Sequence, residues 1–255
     1  MTGFSTLCKH ELYAVWRTWH RYVLPTVLCL FGVMSVVLSR FAPDIVGSMM
    51  GEAVRKAMPE PNWHEAYNQW TKNLAQTVMF VVIFTGAGAT SSLVSSGRAQ
   101  LLAVRPVSRA SQPLAALVAR IAVLASASLA GMAVVWAATF GFYREAPVGP
   151  LVAATAAWFA CACFFLAITV AMSSLTGSTL AAAGIGVGSL LLTMIGSAVE
   201  PIAENSPAGL LTLPSAFAEG RTIGVAAVVV PFATSLILMI LVVVLGAKSF
   251  ARREL

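Results

Sequence analysis

Long apolar runs separated by short polar segments dominate this sequence. A helix needs about 20 mostly apolar residues to cross about 30 Å of hydrocarbon. Six runs meet that requirement: residues 22–41, 74–94, 114–140, 151–175, 180–199 and 223–247. They leave too little chain for a separate soluble domain. The pattern therefore predicts an all-α membrane protein with six transmembrane helices, forming one transmembrane domain over residues 1–255.

The composition supports this class. Hydrophobic residues make up 58% of the chain and charged residues 10%, and the mean hydropathy is +0.85. A chain of this length cannot hide so much apolar surface in one soluble core. We expect an integral membrane protein.

The net charge of +6 is distributed as in a membrane protein with both termini in the cytoplasm. Ten of the sixteen basic residues then lie on the cytoplasmic side, and retention of Lys and Arg there sets the orientation. These ten are Lys9, Arg17, Arg21, Arg98, Arg105, Arg109, Arg120, Lys248, Arg252 and Arg253. A nucleic-acid partner is not expected, because that would need a basic face on a soluble module.

The residues before the first run predict an amphipathic helix in the cytoplasmic interface. Apolar residues recur at helical spacing, with most basic residues elsewhere on the helix. The apolar set is Phe4, Leu7, Cys8, Leu12, Val15, Trp16 and Trp19. Such a helix would contact membrane lipids. The alternative interpretation is the cytoplasmic start of the first span.

Two polar segments on the outer side carry further signals. Trp63, Tyr67 and Trp70 suit an aromatic belt where the second span enters the bilayer. Residues 200–222 contain three prolines and several leucines, which predicts a broken, re-entrant segment before the sixth span.

Three residues within the apolar runs also stand out. Arg120 is predicted to extend its side chain to the cytoplasmic interface, because a charge at the bilayer centre is costly. Gly184 and Gly188 form a GxxxG pair that allows another helix to approach closely. Packing within the same subunit explains that pair equally well.

Motifs for enzymatic chemistry are missing from the sequence. No GxxxxGK[ST] motif occurs, so a P-loop ATPase is excluded. An intramembrane serine protease would need a histidine near Ser178 or Ser189, and no histidine lies inside a predicted span. The four cysteines lack zinc-site spacing. We therefore predict no enzymatic activity and no metal or cofactor bound by this chain.

The polar segment 95–112 is the strongest functional candidate. It holds Arg98, Arg105 and Arg109 and no acid, and it is wedged between two apolar runs. Residues 100–103 favour a short helix, which Pro106 stops. A compact basic helix there is suited to receive force from a cytoplasmic partner. The centres of the predicted spans carry no charge, which disfavours an ion-coupled carrier.

Part of this segment resembles the region after the second span of ABC-2-type transporter permeases. The matching residues are Gly97, Leu101, Leu102, Pro106, Val107, Ser108 and Arg109. Two further stretches are similar to the same family: Lys72, Asn73, Leu74 and Gln76, and Phe250, Arg252, Arg253, Glu254 and Leu255. The sequence departs from the family pattern at Ser95 and Ser96, where acids are usual, and at Arg98, where threonine is usual.

The resemblance implies the permease subunit of an ABC exporter in a bacterial plasma membrane. Such a subunit pairs with a second permease subunit and docks on a separate cytoplasmic ATPase, which binds ATP and Mg. The implied coupling residues are Ser96, Gly97, Arg98, Gln100, Leu101, Leu102, Arg105, Pro106, Val107, Ser108 and Arg109. A second coupling turn is expected at Thr176, Gly177 and Ser178. The competing hypothesis is a membrane scaffold that docks a partner without transport.

Overall fold

Helices account for all of the regular secondary structure in the part of the chain described by the computed structural model, residues 2–17, 20–57, 60–95, 97 and 108–252. The helices are α1 (Thr2–Arg17), α2 (His20–Met50), α3 (Glu52–Ala57), α4 (Trp63–Asn73), α5 (Met79–Ala87), α6 (Ser91–Ser95), α7 (Ser111–Tyr143), α8 (Val148–Thr176), α9 (Thr179–Ser197), α10 (Glu200–Asn205), α11 (Gly209–Ala218) and α12 (Val225–Arg252). A π-helical turn, Leu74–Val78, joins α4 to α5. The all-α prediction is confirmed.

Six helices in the described residues are long and apolar enough to cross a membrane, which confirms the number of predicted spans and marks an integral membrane protein. They are Arg21–Met50, Trp63–Leu93, Ser111–Tyr143, Val148–Thr176, Thr179–Ser197 and Val225–Arg252. The second and fourth form the centre of the bundle. In each, 61% of the most apolar window is buried, against 22% in the fifth and 11% in the sixth.

The second span begins at Trp63, well before the predicted start at residue 74. Asn62 starts the helix, because its side chain accepts a hydrogen bond from the Glu65 amide at 3.1 Å. Tyr67 and Trp70 are fully buried, so the prediction that they form a lipid-facing belt is wrong. Each donates instead to a partner inside the bundle. Tyr67 bonds the Pro147 carbonyl, and the Trp70 indole bonds the Thr155 hydroxyl.

The N-terminal helix α1 packs mainly against the third span. Its buried stripe consists of Leu7, Glu11 and Val15, which recur every four residues. Phe4 and Trp16 face outward. A separate amphipathic helix was predicted, but an acid on its buried face was not. Its depth at a membrane interface stays a prediction.

Residues 200–222 fold as two short helices, α10 and α11, which agrees with the predicted break. The α11 helix packs on the fourth span, with Leu210, Leu213 and Ala218 buried. One proline, Pro214, lies inside α11 rather than ending it. That these two helices enter the bilayer as a re-entrant segment stays a prediction.

Three spans meet closely at Thr169 of the fourth span, between one glycine of the second span and one of the fifth. A Cβ atom added at Gly186 would overlap Thr169 Cγ2 and lie 2.8 Å from Ile83 Cγ2. A Cβ atom added at Gly86 would overlap Thr169 Oγ1. Only glycine therefore allows these backbones to approach from both sides. We call Gly86, Thr169 and Gly186 the threonine clamp.

The predicted GxxxG pair makes no comparable contact. A Cβ atom at Gly184 or Gly188 would meet no atom of the described residues within 4 Å. Close packing within the same subunit therefore does not explain this pair. Contact with a second subunit stays a prediction.

The threonine clamp predicts a specific pattern of stability changes. Gly186→Ala should destabilise the protein by about 1–3 kcal/mol through overpacking. Adding Thr169→Ser should recover part of that loss, because serine lacks the overlapping Cγ2 methyl. The same change should not rescue Gly86→Ala, because serine keeps the Oγ atom. Thermal unfolding of the purified protein in detergent measures each effect.

The matched controls are Gly184→Ala and Gly188→Ala on the same helix as Gly186. These substitutions should leave the unfolding midpoint of the monomer unchanged or slightly raised, since alanine is the better helix former. Equal losses at positions 184, 186 and 188 would contradict the clamp.

Candidate functional site

The second span is interrupted at residues 88–90, between α5 and α6. The Ala89 amide bonds the Gly86 carbonyl at 3.0 Å in a tight turn, and a new helix starts at Ser91. Such a break leaves carbonyl groups of α5 and amide groups of α6 without partners in their own helix. In a membrane protein those groups need partners elsewhere in the protein. We call residues 88–90 the break.

Arg120 of the third span supplies the donor for the carbonyl side of the break. Its Nε donates to the Thr85 carbonyl and its Nη1 to the Ala116 carbonyl, both at 3.1 Å. A cation at the carboxyl end of α5 is also favoured by the helix dipole. The side chain extends toward the beginning of the third span, and its position at the cytoplasmic interface stays a prediction. Its donors, however, are taken up inside the bundle.

Ser173 of the fourth span supplies the acceptor for the amide side. Its Oγ accepts from the Thr90 amide at 3.3 Å and from the Ser91 amide at 3.0 Å. Two hydroxyl pairs flank it: Ser91 with Thr179 at 2.7 Å, and Thr90 with Ser174 at 3.2 Å. We call these five residues the hydroxyl cluster. It connects the break to the fourth and fifth spans.

The predicted second coupling turn adjoins this cluster through Thr179. Gly177 ends α8 in the left-handed conformation, with φ of 66°, and its amide bonds the Ser173 carbonyl at 3.1 Å. Ser178 starts α9 by accepting from the Ala181 amide. Thr176 and Ser178 are exposed. The structure therefore places this turn beside the end of the second span.

Most of the predicted coupling segment lies outside the described residues. This applies to Ser96, Arg98, Gln100, Leu101, Leu102, Arg105, Pro106 and Val107. Gly97 has a positive φ of 68° and is exposed. Ser108 and Arg109 are also exposed, and their carbonyls accept the first hydrogen bonds that lead into α7. The coupling role of the segment stays a prediction.

A cavity of about 330 Å³ lies next to the break. Its walls include Glu11 of α1, Leu24 of the first span, Gly88 and Arg120. Glu11 is only 6% exposed. Burial raises the pKa of Glu11 above its ordinary value, while the charges of Arg120 and His10 oppose that rise.

Comparison with known families places most of this structure in one family. A family model described as a protein of unknown function, DUF2705, matches residues 26–255. The chain belongs to the DUF2705 family. The matched region includes the break, the hydroxyl cluster and Arg120, whereas α1 precedes it. No curated protein matches the chain. The DUF2705 description gives no activity, so the function is inferred from the geometry.

The sequence analysis did not predict the break or the hydroxyl cluster. The available signal was the stretch 86–92, where two glycines precede Thr90, Ser91 and Ser92 within one apolar run. Ser173 and Ser174 near the end of the fourth span were the matching signal. In the described residues no group of three or more His, Cys, Asp or Glu side chains is placed to hold a metal.

Removing the Ser173 hydroxyl should loosen the break. In Ser173→Ala the Thr90 and Ser91 amides lose their acceptor, which should cost about 1–3 kcal/mol of stability. Amide hydrogen exchange at Thr90 and Ser91 should become faster. Mass spectrometry of peptides from the exchanged protein measures that rate.

Ser128→Ala is the matched control. Ser128 is also buried, but its hydroxyl bonds only the Leu124 carbonyl of its own helix among the bonds seen in the described chain. It should leave exchange at Thr90 and Ser91 unchanged. If Ser173→Ala leaves that exchange unchanged as well, Ser173 does not hold the break.

Proposed function

We propose that this chain is the permease subunit of an ATP-binding-cassette exporter. It forms the translocation path and couples to a separate cytoplasmic ATPase subunit through residues 96–109. One observation supports this assignment most directly: the second span is broken just before that segment, and side chains from other spans hold the break. A force on the segment would therefore reach three further spans.

The proposed mechanism uses the break as a hinge. Closure of ATP-loaded ATPase subunits displaces the coupling segment, which pulls on α6. The hydroxyl pairs of the hydroxyl cluster then exchange partners, since small hydroxyl groups can bond in several orientations. Beyond the break, the threonine clamp keeps the spans packed. The spans accordingly move as rigid bodies between two states.

The remaining parts of the assembly follow from this assignment. Both termini lie in the cytoplasm of a bacterial cell, α1 lies in the inner interface, and residues 200–222 form the re-entrant segment. The face at Gly184 and Gly188 receives the second permease subunit, in support of which a Cβ atom added at either glycine would meet no described atom within 4 Å. ATP and Mg bind to the ATPase. The cargo is a hydrophobic or amphipathic molecule.

The rival functions account for less of the geometry. A scaffold needs only a docking surface. It does not require a broken span whose ends are held by three other spans. An ion-coupled carrier needs an ionisable group in its path. Arg120 is the one charged residue well inside a predicted span, and backbone carbonyls accept hydrogen bonds from its Nε and Nη1.

Copurification tests the proposed partner. The tagged chain should recover a P-loop ATPase from its native membrane after mild solubilisation, as identified by mass spectrometry. Repeated recovery of non-ATPase proteins alone would favour the scaffold.

Charge reversal tests the docking segment. The double variant Arg105→Glu and Arg109→Glu should lower the recovered ATPase by about tenfold or more. The reason is that attraction between opposite charges is replaced by repulsion between like charges. Membrane insertion should not change. The matched control is Lys248→Glu with Arg252→Glu, which makes the same change of charge in another segment that is predicted to be cytoplasmic. Undiminished recovery in the first variant, or an equal loss in both, would refute the assigned contact.

A further inference from the structure

Two opposite charges line the cavity beside the break. Glu11 enters from α1, and Arg120 enters from the third span. The remaining lining is largely apolar and includes Val15, Leu24 and Val123. The volume of about 330 Å³ lies within the range of small-molecule sites. The cavity therefore combines one acidic side chain, one basic side chain and an apolar wall.

The two charges do not neutralise each other by direct contact. The ion pairs within the described ranges are Arg55 with Asp44 and Arg221 with Glu219. Glu11 and Arg120 still interact electrostatically across the cavity. Nε and Nη1 of Arg120 bond carbonyls, and Nη2 has no hydrogen bond to a described residue. An occupant with one cationic and one anionic group would satisfy both side chains.

We propose that this cavity binds the headgroup of a phospholipid that carries both a primary ammonium and a phosphate, namely phosphatidylethanolamine. The ammonium donates hydrogen bonds to the Glu11 carboxylate. The phosphate accepts from Nη2 of Arg120, because Nε and Nη1 already bond backbone carbonyls. The apolar lining accommodates the glycerol and the start of the acyl chains.

The chemistry of the site discriminates among headgroups. Phosphatidylcholine keeps the phosphate, but its trimethylated nitrogen has no hydrogen to donate to Glu11. Phosphatidylglycerol has no cation at all and leaves Glu11 buried without a partner. One charge-assisted hydrogen bond corresponds to roughly tenfold in affinity. The site should therefore prefer phosphatidylethanolamine over both by about that factor.

The lipid site does not depend on the exporter assignment, because neither the cavity nor its two ionisable side chains requires an ATPase partner. It would remain if the protein were shown to dock a different partner. Conversely, loss of Glu11 would leave the hydrogen bonds of Arg120 and Ser173 at the break in place.

Native mass spectrometry of the purified, delipidated full chain tests the proposal. The protein is mixed with equal amounts of phosphatidylethanolamine, phosphatidylcholine and phosphatidylglycerol, and bound lipid is quantified. The wild-type chain should prefer phosphatidylethanolamine about tenfold. Glu11→Gln should abolish that preference. The control Glu52→Gln removes an exposed carboxylate in α3 and should retain it.

A preference that survives in Glu11→Gln, or equal binding of all three lipids by the wild type, would overturn the proposal. Displacement of the lipid by an equal concentration of soluble phosphoethanolamine would overturn the lipid as the occupant.

If Glu11→Gln does not fold, a lipid series on the wild-type chain gives the same answer. Stepwise N-methylation of phosphatidylethanolamine removes donors one at a time, so binding should weaken at each step. A flat series would overturn the role of Glu11.

Discussion

A backbone break inside an apolar bundle depends on side chains that replace the missing helical hydrogen bonds. An unsatisfied amide or carbonyl in hydrocarbon costs several kcal/mol. Here Arg120 bonds a carbonyl at the end of α5, and Ser173 accepts from both amides at the start of α6. These two residues come from different spans. The second span therefore keeps its interruption only while the third and fourth spans stay in place beside it.

Rigid packing and exchangeable bonding lie next to each other along the second span. Gly86 belongs to both, since it packs against Thr169 and its carbonyl accepts the turn bond from Ala89. On one side of it the backbones are too close to tolerate a methyl group. On the other side, contacts are made by hydroxyl groups of Thr90, Ser91 and their partners. A displacement that begins in α6 would first change the hydrogen bonds between these hydroxyl groups. The intact spans would then move in response.

Much of the fold followed from hydropathy alone, because a spanning helix must be apolar over a fixed length. Hydropathy predicted the structure incorrectly where polar residues are buried by protein. The mean hydropathy of residues 63–73 indicates a polar segment, yet Tyr67 and Trp70 lie at the centre of the bundle. Glu11 was missed for a related reason: only the fold shows that an acid on a short amphipathic helix faces Arg120. The break was missed because glycine is common in membrane helices, and its partners are about 80 residues away, as in the Ser91 and Ser173 pair.

Arg120 takes part in two interactions whose partners lie in different parts of the chain. Its hydrogen bond to Thr85 involves the second and third spans, both within the region matched by the family model. Its electrostatic partner Glu11 lies on α1, outside that region. The hydrogen bond that caps α5 therefore lies within the matched region, whereas the charge balance of the cavity also involves α1. A change at Glu11 would alter the charges that line the cavity and leave both partners of the Thr85 bond in place.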